Sequence, residues 1–484
     1  MLTYDLDRRG SLARYDYLCR CIKGDILAGR LAAGEKLPSK RSLAAHLQTA
    51  VVTVENAYAQ LEAEGYLYTR EKSGYYVAQV EAPPGPDAPS PHAEAPRSEV
   101  RDKEEKQVLD LRSGGSGTEG FPFSVWARLM RRVLSEKGEA LLRATPPSGA
   151  AELRDAIAQH LYRFRGIKAE PEQIVVGAGT EYLYNLIVQL LGREAVYGVE
   201  DPGYSKAARI YALSGARTAP VRVDEGGVSL VELETSDAQI LHTSPNHQFP
   251  TGAVTPIGRR QSLLRWAEAQ AGRYIIEDDY DSEFRFSLRP IPTLQSIDHA
   301  GCVIYVNTFS RTLAPSLRIS YMVLPKELVA PYRERLGFYS CTVPAIEQYT
   351  LARFLDEGYF DSHINRMRKF YRVRRDEVIA AIAESPLGVR CCVSGEDAGL
   401  HFLLTLDTQR PDRALRADAE RCGILLSFLS DFALRPGSAP QHTLIVNYPG
   451  IDLKQFRRAL RTLEALLLHA PEKNELRVNI SIIR

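Results

Sequence analysis

Residues 275–285 read IIEDDYDSEFR, and residues 306–325 read VNTFSRTLAPSLRISYMVLP. The first begins as an apolar strand and ends on carboxylates; the second begins as a strand and runs into hydroxyls, an arginine and a proline. Both belong to a series of apolar runs: IVVG at 174–177, AVYGVEDP at 195–202, QILHTSP at 239–245, YIIEDDY at 274–280 and CVIYVNTFS at 302–310. Helical stretches separate them, and that alternation predicts an α/β domain built on a mostly parallel sheet covered by helices. In a doubly wound sheet the carboxyl ends of the strands converge on one crevice, so the carboxylates and hydroxyls that end these runs are candidate neighbours.

Two further strand ends join that set. After IVVG come Ala178, Gly179 and Thr180 and a helix around YLYNLIVQLL, a place where backbone N–H groups and the positive helix end can face a phosphate. The run EDPGY ends the next strand on Tyr204, and HTSPNHQFPTG at 242–252 is a Pro/Gly-rich turn. From about residue 330 the pattern changes to long charged helices, such as the one around HINRMRKFYRVRRDEVIAAIA, mixed with strands such as GLHFLLTL. A smaller α+β subdomain over about 330–470 is expected, followed by a tail at 471–484.

Upstream, residues 81–108 read EAPPGPDAPSPHAEAPRSEVRDKEEKQV, Pro-rich and then mixed in charge, with almost nothing to fill a core. This is a linker, and at about 3.1 Å per residue it could reach on the order of 80 Å. A head of residues 1–80 therefore stands apart from a body of 109–470, and placement of the head over a partner subunit is open to it. In the head, Ser39 can cap the helix KRSLAAHL. The next stretch, VVTVENAYAQLEAEG, sets Val51, Val54, Tyr58 and Leu61 at helical spacing, with Thr49 as its cap and Gly65 at its end. YLYTREKSGYYV then reads as a hairpin whose turn is Lys72-Ser73-Gly74.

Composition narrows the classes. A chain of 484 residues with 44% apolar residues needs two or three domains. Its formal net charge of +1 leaves nucleic-acid contact to a local basic patch. The seven cysteines lack paired CxxC spacing, so no zinc site is expected and a reduced cytoplasm is the simplest home. No run of about 18 apolar residues occurs, so no membrane span is expected.

The run GDILAGRLAAGEKLPSKRSLAAHL, continued by TVENAYAQLEAEGYLYTREKSGYYV, resembles the winged helix-turn-helix of the GntR family over roughly sixty residues. The resemblance implies double-stranded operator DNA as partner, with the start of the third helix in the major groove and phosphates met by Arg41 and the wing. Ser39, Lys40, Arg41, Arg70, Lys72, Ser73 and Gly74 are the backbone-contact candidates. Val52 and Thr53 offer apolar contact to thymine methyl groups. Where that family usually has Ser-Arg, this chain has Ala50-Val51, so one expected arginine contact is missing. A head that binds protein rather than DNA is the bland alternative.

EDDYDSEFR, HQFPTG and TLAPSLR resemble the fold-type I aminotransferase-like domain of the MocR subfamily, and the likeness covers about 110–470. It implies pyridoxal phosphate as cofactor and a homodimer. Ala178, Gly179 and Thr180 would cradle the phosphate, Tyr204 would stack on the ring, Asp278 would pair with the ring nitrogen, and Tyr280 would meet the ring hydroxyl. Thr308, Ser310 and Arg318 would add phosphate contacts. The subfamily's lysine falls on Arg311. A Schiff base requires a neutral amine, and guanidinium groups are not deprotonated in proteins, so no catalytic residue is assigned and non-covalent anion binding is expected. The strand HTLIVNYPG also lacks the arginine that usually holds a substrate carboxylate, with Lys206 and Arg435 as stand-ins. The leading expectation is a DNA-binding transcription regulator whose body senses a small-molecule effector. The alternatives are a pyridoxal-phosphate-dependent aminotransferase with an accessory head, and a DNA-binding protein whose body only dimerises and binds no cofactor.

Overall fold

The structure is a computed structural model that describes residues 2–71, 73–80, 109–112, 120–286 and 291–468. Lys72, the 81–108 linker and the 471–484 tail lie outside the described residues. The chain divides into two compact units, Met1–Asp102 and Lys103–Arg484.

The head holds α1 (Arg14–Leu27), α2 (Lys40–His46) and α3 (Val51–Ala63), then a hairpin of β1 (Leu67–Arg70) and β2 (Gly74–Val77). Ser39 caps α2 as its position predicts, its Oγ accepting from the Ser42 N–H at 3.2 Å. Thr49 does not cap α3. Its N–H is held by the Ala44 carbonyl at 3.0 Å, so it belongs to the turn leaving α2, and Ala50 precedes α3 with no side-chain cap. Val54, Ala57, Tyr58 and Leu61 form the buried face of α3, in one core with Leu18 and Ile22 of α1. Val51 stands off that face and is 42% exposed, because it sits on the first turn, ahead of the core.

The body begins with β3 (Leu109–Asp110), α4 (Phe123–Lys137), α5 (Ala151–Arg165), β4 (Ile174–Gly177), α6 (Thr180–Leu191), β5 (Val196–Asp201) and α7 (Ser205–Leu213). It continues with β6 (Arg217–Asp224), β7 (Gly227–Val228), α8 (Leu230–Thr235), β8 (Ile240–Thr243), α9 (Ile257–Glu268), β9 (Tyr274–Asp278), α10 (Leu294–Ile297), β10 (Val303–Thr308), α11 (Phe309–Thr312) and β11 (Ser320–Val323). Eight of these strands form one sheet in the order β4-β11-β10-β9-β8-β5-β6-β7. The five expected strands are all in it. The central ones, β10, β9, β8, β5 and β6, run parallel, whereas β11 is antiparallel to both its neighbours and β7 is antiparallel to β6. Strands buried on both faces read as continuous apolar runs, which is why IVVG and VIYV are legible as strands.

The register fixes the site. Asp278 on β9 lies opposite Val306 on β10, two residues before Thr308, so the end of β9 and the turn into α11 are adjacent.

The smaller subdomain follows: α12 (Lys326–Leu336), α13 (Ala345–Asp356), the long α14 (Tyr359–Ala383), β12 (Cys391–Ser394), β13 (His401–Leu406), α15 (Asp412–Arg421), β14 (Ile424–Leu425), β15 (Thr443–Asn447) and α16 (Leu453–Leu468). β12, β13 and β15 form an antiparallel sheet. The short β3 pairs with β14, with the Leu109 N–H on the Gly423 carbonyl at 3.0 Å and the Leu111 N–H on the Leu425 carbonyl at 3.1 Å.

Candidate functional site

Three consecutive carboxylates end β9, and strand alternation divides them. Glu277 and Asp279 point to one face. Glu277 accepts the Leu294 and Gln295 N–H groups at 2.8 and 2.9 Å, and burial pushes its carboxyl up to about 7. Burial alone would also raise Asp279, but the Arg165 guanidinium hydrogen-bonded to it, with Tyr305 at 2.6 Å and Asn246 at 2.7 Å, holds it below the usual range. These two are structural. Asp278 points to the other face, where its Oδ2 accepts from the Tyr184 hydroxyl and lies 3.5 Å from His242 Nε2. Its Oδ1 is buried and has no hydrogen-bond partner.

Asp278 lines a cavity of about 310 Å3 at the carboxyl ends of the central strands. Thr180, Tyr204, Asp278, Tyr280, Thr308, Ser310, Arg311 and Arg318 all line it. The Ser310 hydroxyl is a second buried oxygen without a partner. Burial raises the phenol of Tyr204 to about 12 and that of Tyr280 further, and the positive charge of Arg311 opposes both shifts. Tyr280 is positioned from behind: its hydroxyl is 3.1 Å from His247 Nδ1, which is 2.9 Å from Asp281 Oδ2.

Ala178 and Gly179 do not line the cavity. The Ala178 N–H donates to Thr342 Oγ1 at 2.9 Å. Gly179, at φ +98°, lies under the Arg318 guanidinium, so a Cβ there would collide with it. Thr308 lines the cavity, but its hydroxyl is engaged inward: it receives the Ser310 N–H at 3.1 Å and the Ser320 hydroxyl at 2.7 Å. Arg318 donates to Glu181 Oε2 at 3.2 Å, and Lys206 donates to the other oxygen of the same carboxylate at 3.3 Å. Lys206 thus reaches the mouth of the cavity, whereas Arg435 does not line it: its guanidinium bonds Asp201 at 2.9 Å and Glu232 at 3.1 Å. A larger open groove of about 750 Å3 between α6, α7 and α12 is lined by residues such as Leu213 and Phe338 and gathers no carboxylate or histidine.

Sequence reasoning missed Tyr184 and Phe249, which also line the cavity. The signal for Tyr184 was present: it is four residues after Thr180, on the same face of α6. Among the described residues no group of side chains could hold a metal ion, none of the seven cysteines is bonded to another, and no helix is long and apolar enough to cross a membrane.

On the head, Arg41 is exposed, Val52 is 62% exposed and Thr53 is half-buried. Lys40 is paired at the surface: its ammonium bonds the exposed Glu55 at 2.6 Å, which raises its pKa, and lies 5.5 Å from the centre of the Tyr75 ring. Arg70 stacks 4.7 Å over Tyr76, and Ser73 bonds the Tyr76 hydroxyl at 2.6 Å, while Gly74 turns the wing at φ +113°. Asn56, exposed on α3, was not singled out from the sequence.

Residues 106–463 match the aminotransferase class I and II family, and residues 15–77 match the bacterial regulatory proteins of the gntR family. The chain is 36% identical over 465 residues to the uncharacterized HTH-type transcriptional regulator YdeL of Bacillus subtilis, covering 96% of this chain and 99% of that one. It is 33% identical over 476 residues to the probable rhizopine catabolism regulatory protein MocR of Rhizobium meliloti (96% and 95% covered). It is also 33% identical over 387 residues to the pyridoxine biosynthesis transcriptional regulator PdxR of Corynebacterium glutamicum (79% and 81% covered). Among solved structures, the multiple substrate aminotransferase of Thermococcus profundus aligns with a TM-score of 0.67 at 25% identity, covering 75% of this chain and 92% of that one. LysN, the α-aminoadipate aminotransferase of Thermus thermophilus, solved with N-(5'-phosphopyridoxyl)-L-leucine, aligns at 0.64 and 26% (74% and 93% covered).

Proposed function

Since the chain belongs to the gntR family of bacterial regulatory proteins through its head and to the aminotransferase class I and II family through its body, we propose that the crevice around Asp278 is the sensor of a DNA-binding transcription regulator. The protein is an HTH-type transcription regulator with an aminotransferase-like domain. In this reading the head meets operator DNA and the body binds a small anionic effector, for which pyridoxal phosphate is the candidate.

The observation that carries the reading is the pair of buried oxygens without partners, Asp278 Oδ1 and Ser310 Oγ, in one cavity. A buried polar group left unmade costs about 1–3 kcal/mol, so the pair fits a site completed by a ligand. Asp278 would take a proton-bearing ring nitrogen, Ser310, Arg318 and the start of α6 an oxyanion, Tyr204 a ring face and Tyr280 a ring oxygen. Pyridoxal phosphate supplies an electron-withdrawing ring and an aldehyde. Arg311, at the place where the resemblance sets the bond-forming lysine, offers the aldehyde no neutral amine, so its role is to hold negative charge. Sensing requires that the effector bind two arrangements of the protein unequally. The chain acts as a homodimer here, so that two heads meet two half-sites, and its mass in solution tests that.

The decisive experiment is borohydride reduction after incubation with pyridoxal phosphate, read by intact mass. The native chain is expected to bind saturably by fluorescence quenching and to show no stoichiometric adduct, whereas Arg311→Lys is expected to gain one. A stoichiometric adduct on the native chain would restore the aminotransferase alternative, and no binding by either chain would leave the body as a scaffold.

A further inference from the structure

The head's reading helix is short of the side chains that read G·C pairs. α3, VVTVENAYAQLEA, contains no lysine and no arginine, the residues that form bidentate contacts to guanine O6 and N7. Its first two turns hold one exposed carboxylate, Glu55, the type that accepts from cytosine N4, but Lys40 binds it at 2.6 Å. Gln60, further along, gives its amide to Glu64 at 2.8 Å. What remains exposed there is apolar or amide: Val51 at 42%, Val52 at 62%, and Asn56 one turn beyond Val52 on the same face. Branched apolar side chains match the thymine C5-methyl group, and an asparagine amide matches adenine N6 and N7.

We propose that α3 reads A·T pairs at the centre of each half-site, with Val51 and Val52 against thymine methyl groups and Asn56 on an adenine. The inference rests on the reading of the head as a DNA-binding element. Arg41 and Arg70 position the helix through phosphates and add no base preference. The Lys40–Glu55 pair supports the same selectivity, because at the surface each of the two charges offsets the other.

The test selects duplexes from a random-sequence pool with the full-length protein and measures affinity for the best of them. An A·T-rich core is expected. Replacing its thymines by uracil removes only methyl groups and is expected to weaken binding on the order of tenfold, with the salt dependence unchanged. Val52→Ser, at an exposed position, is expected to reproduce that loss on the thymine duplex and to cost nothing further on the uracil duplex. Val51→Arg is expected to add preference for guanine and to steepen the salt dependence. A G·C core, or equal affinity for the uracil and thymine duplexes, would overturn the proposal while leaving DNA binding intact. Failure to select any duplex would instead remove the premise that the head binds DNA.

Discussion

The surface of α3 and the wall of the crevice are built in opposite ways. On α3 the side chains offered to a partner, Val51, Val52 and Asn56, stand in water, and the buried face beneath them is apolar and complete. In the crevice the atoms offered to a partner, Asp278 Oδ1 and Ser310 Oγ, are shut away from water, and the layer beneath them is charged: Asp279 with Arg165, and Glu277 on two backbone N–H groups. The first surface has its polar atoms satisfied by solvent, so its residues can be exchanged without disturbing the fold. The second leaves two oxygens without a protein partner, so on the proposed reading a ligand that completes them links binding to stability there.

The largest effect that would break this contrast is expected beneath the crevice. Arg165→Leu leaves Asp279 buried without its cation and should cost the body about 3–5 kcal/mol. Both tryptophans, Trp126 and Trp266, lie in the body, so urea unfolding followed by tryptophan fluorescence reads the body alone. A loss below about 1 kcal/mol would show that the charged layer is not what supports the site.

The next effect is in pH. Burial raises Glu283 from 4.5 to about 7, and its Oε2 has no partner. A raised acid gives stability that is complete below the unfolded pKa and is lost as pH rises through the folded one. Glu283 should therefore contribute a loss of roughly 3 kcal/mol between about pH 4.5 and 7, and Glu283→Gln should remove that share of the slope while leaving the share owed to Glu277. A parallel pH profile in the variant would show that the carboxyl is solvated in the folded protein.

Ligand binding sharpens the comparison further. At a hundredfold excess over its Kd, pyridoxal phosphate should stabilise the body by about 2.7 kcal/mol, and Asp278→Ala should abolish the shift. An unchanged shift in Asp278→Ala would place the ligand elsewhere. The smallest effect belongs to the head. Arg41→Ala should weaken DNA binding about tenfold and lower the salt slope by about one, with no change in the body's unfolding curve; an unaltered slope would remove Arg41 from the phosphate contacts.

The architecture was legible in the sequence because buried parallel strands are written as apolar runs and because strand ends in such sheets converge. Eight of the ten residues expected at the crevice do line it. What motif position leaves out is which polar groups are already engaged. Ala178, Thr308 and Lys40 lie where motif position predicts them, yet each has its polar group taken by a residue from another part of the chain: Thr342, Ser320 and Glu55. A motif states which groups stand near a site, and only the folded chain states which of them already have partners. Thr49 differs for another reason: its backbone stays with the turn that closes α2, and its hydroxyl is buried without a partner. The division of Glu277, Asp278 and Asp279 into two support groups and one cavity-facing group needed the strand's phase, which the folded sheet sets.

The pairing of β3 with β14 has a mechanical consequence. Residues 109–111 are stitched to the smaller subdomain at Gly423 and Leu425, and the Asn447 N–H closes on the Leu111 carbonyl at 3.3 Å. The mooring of residues 109–111 is thus on the subdomain that carries β13 and β15, and not on the eight-stranded sheet. A displacement of that subdomain carries the mooring with it by the same distance and in the same direction.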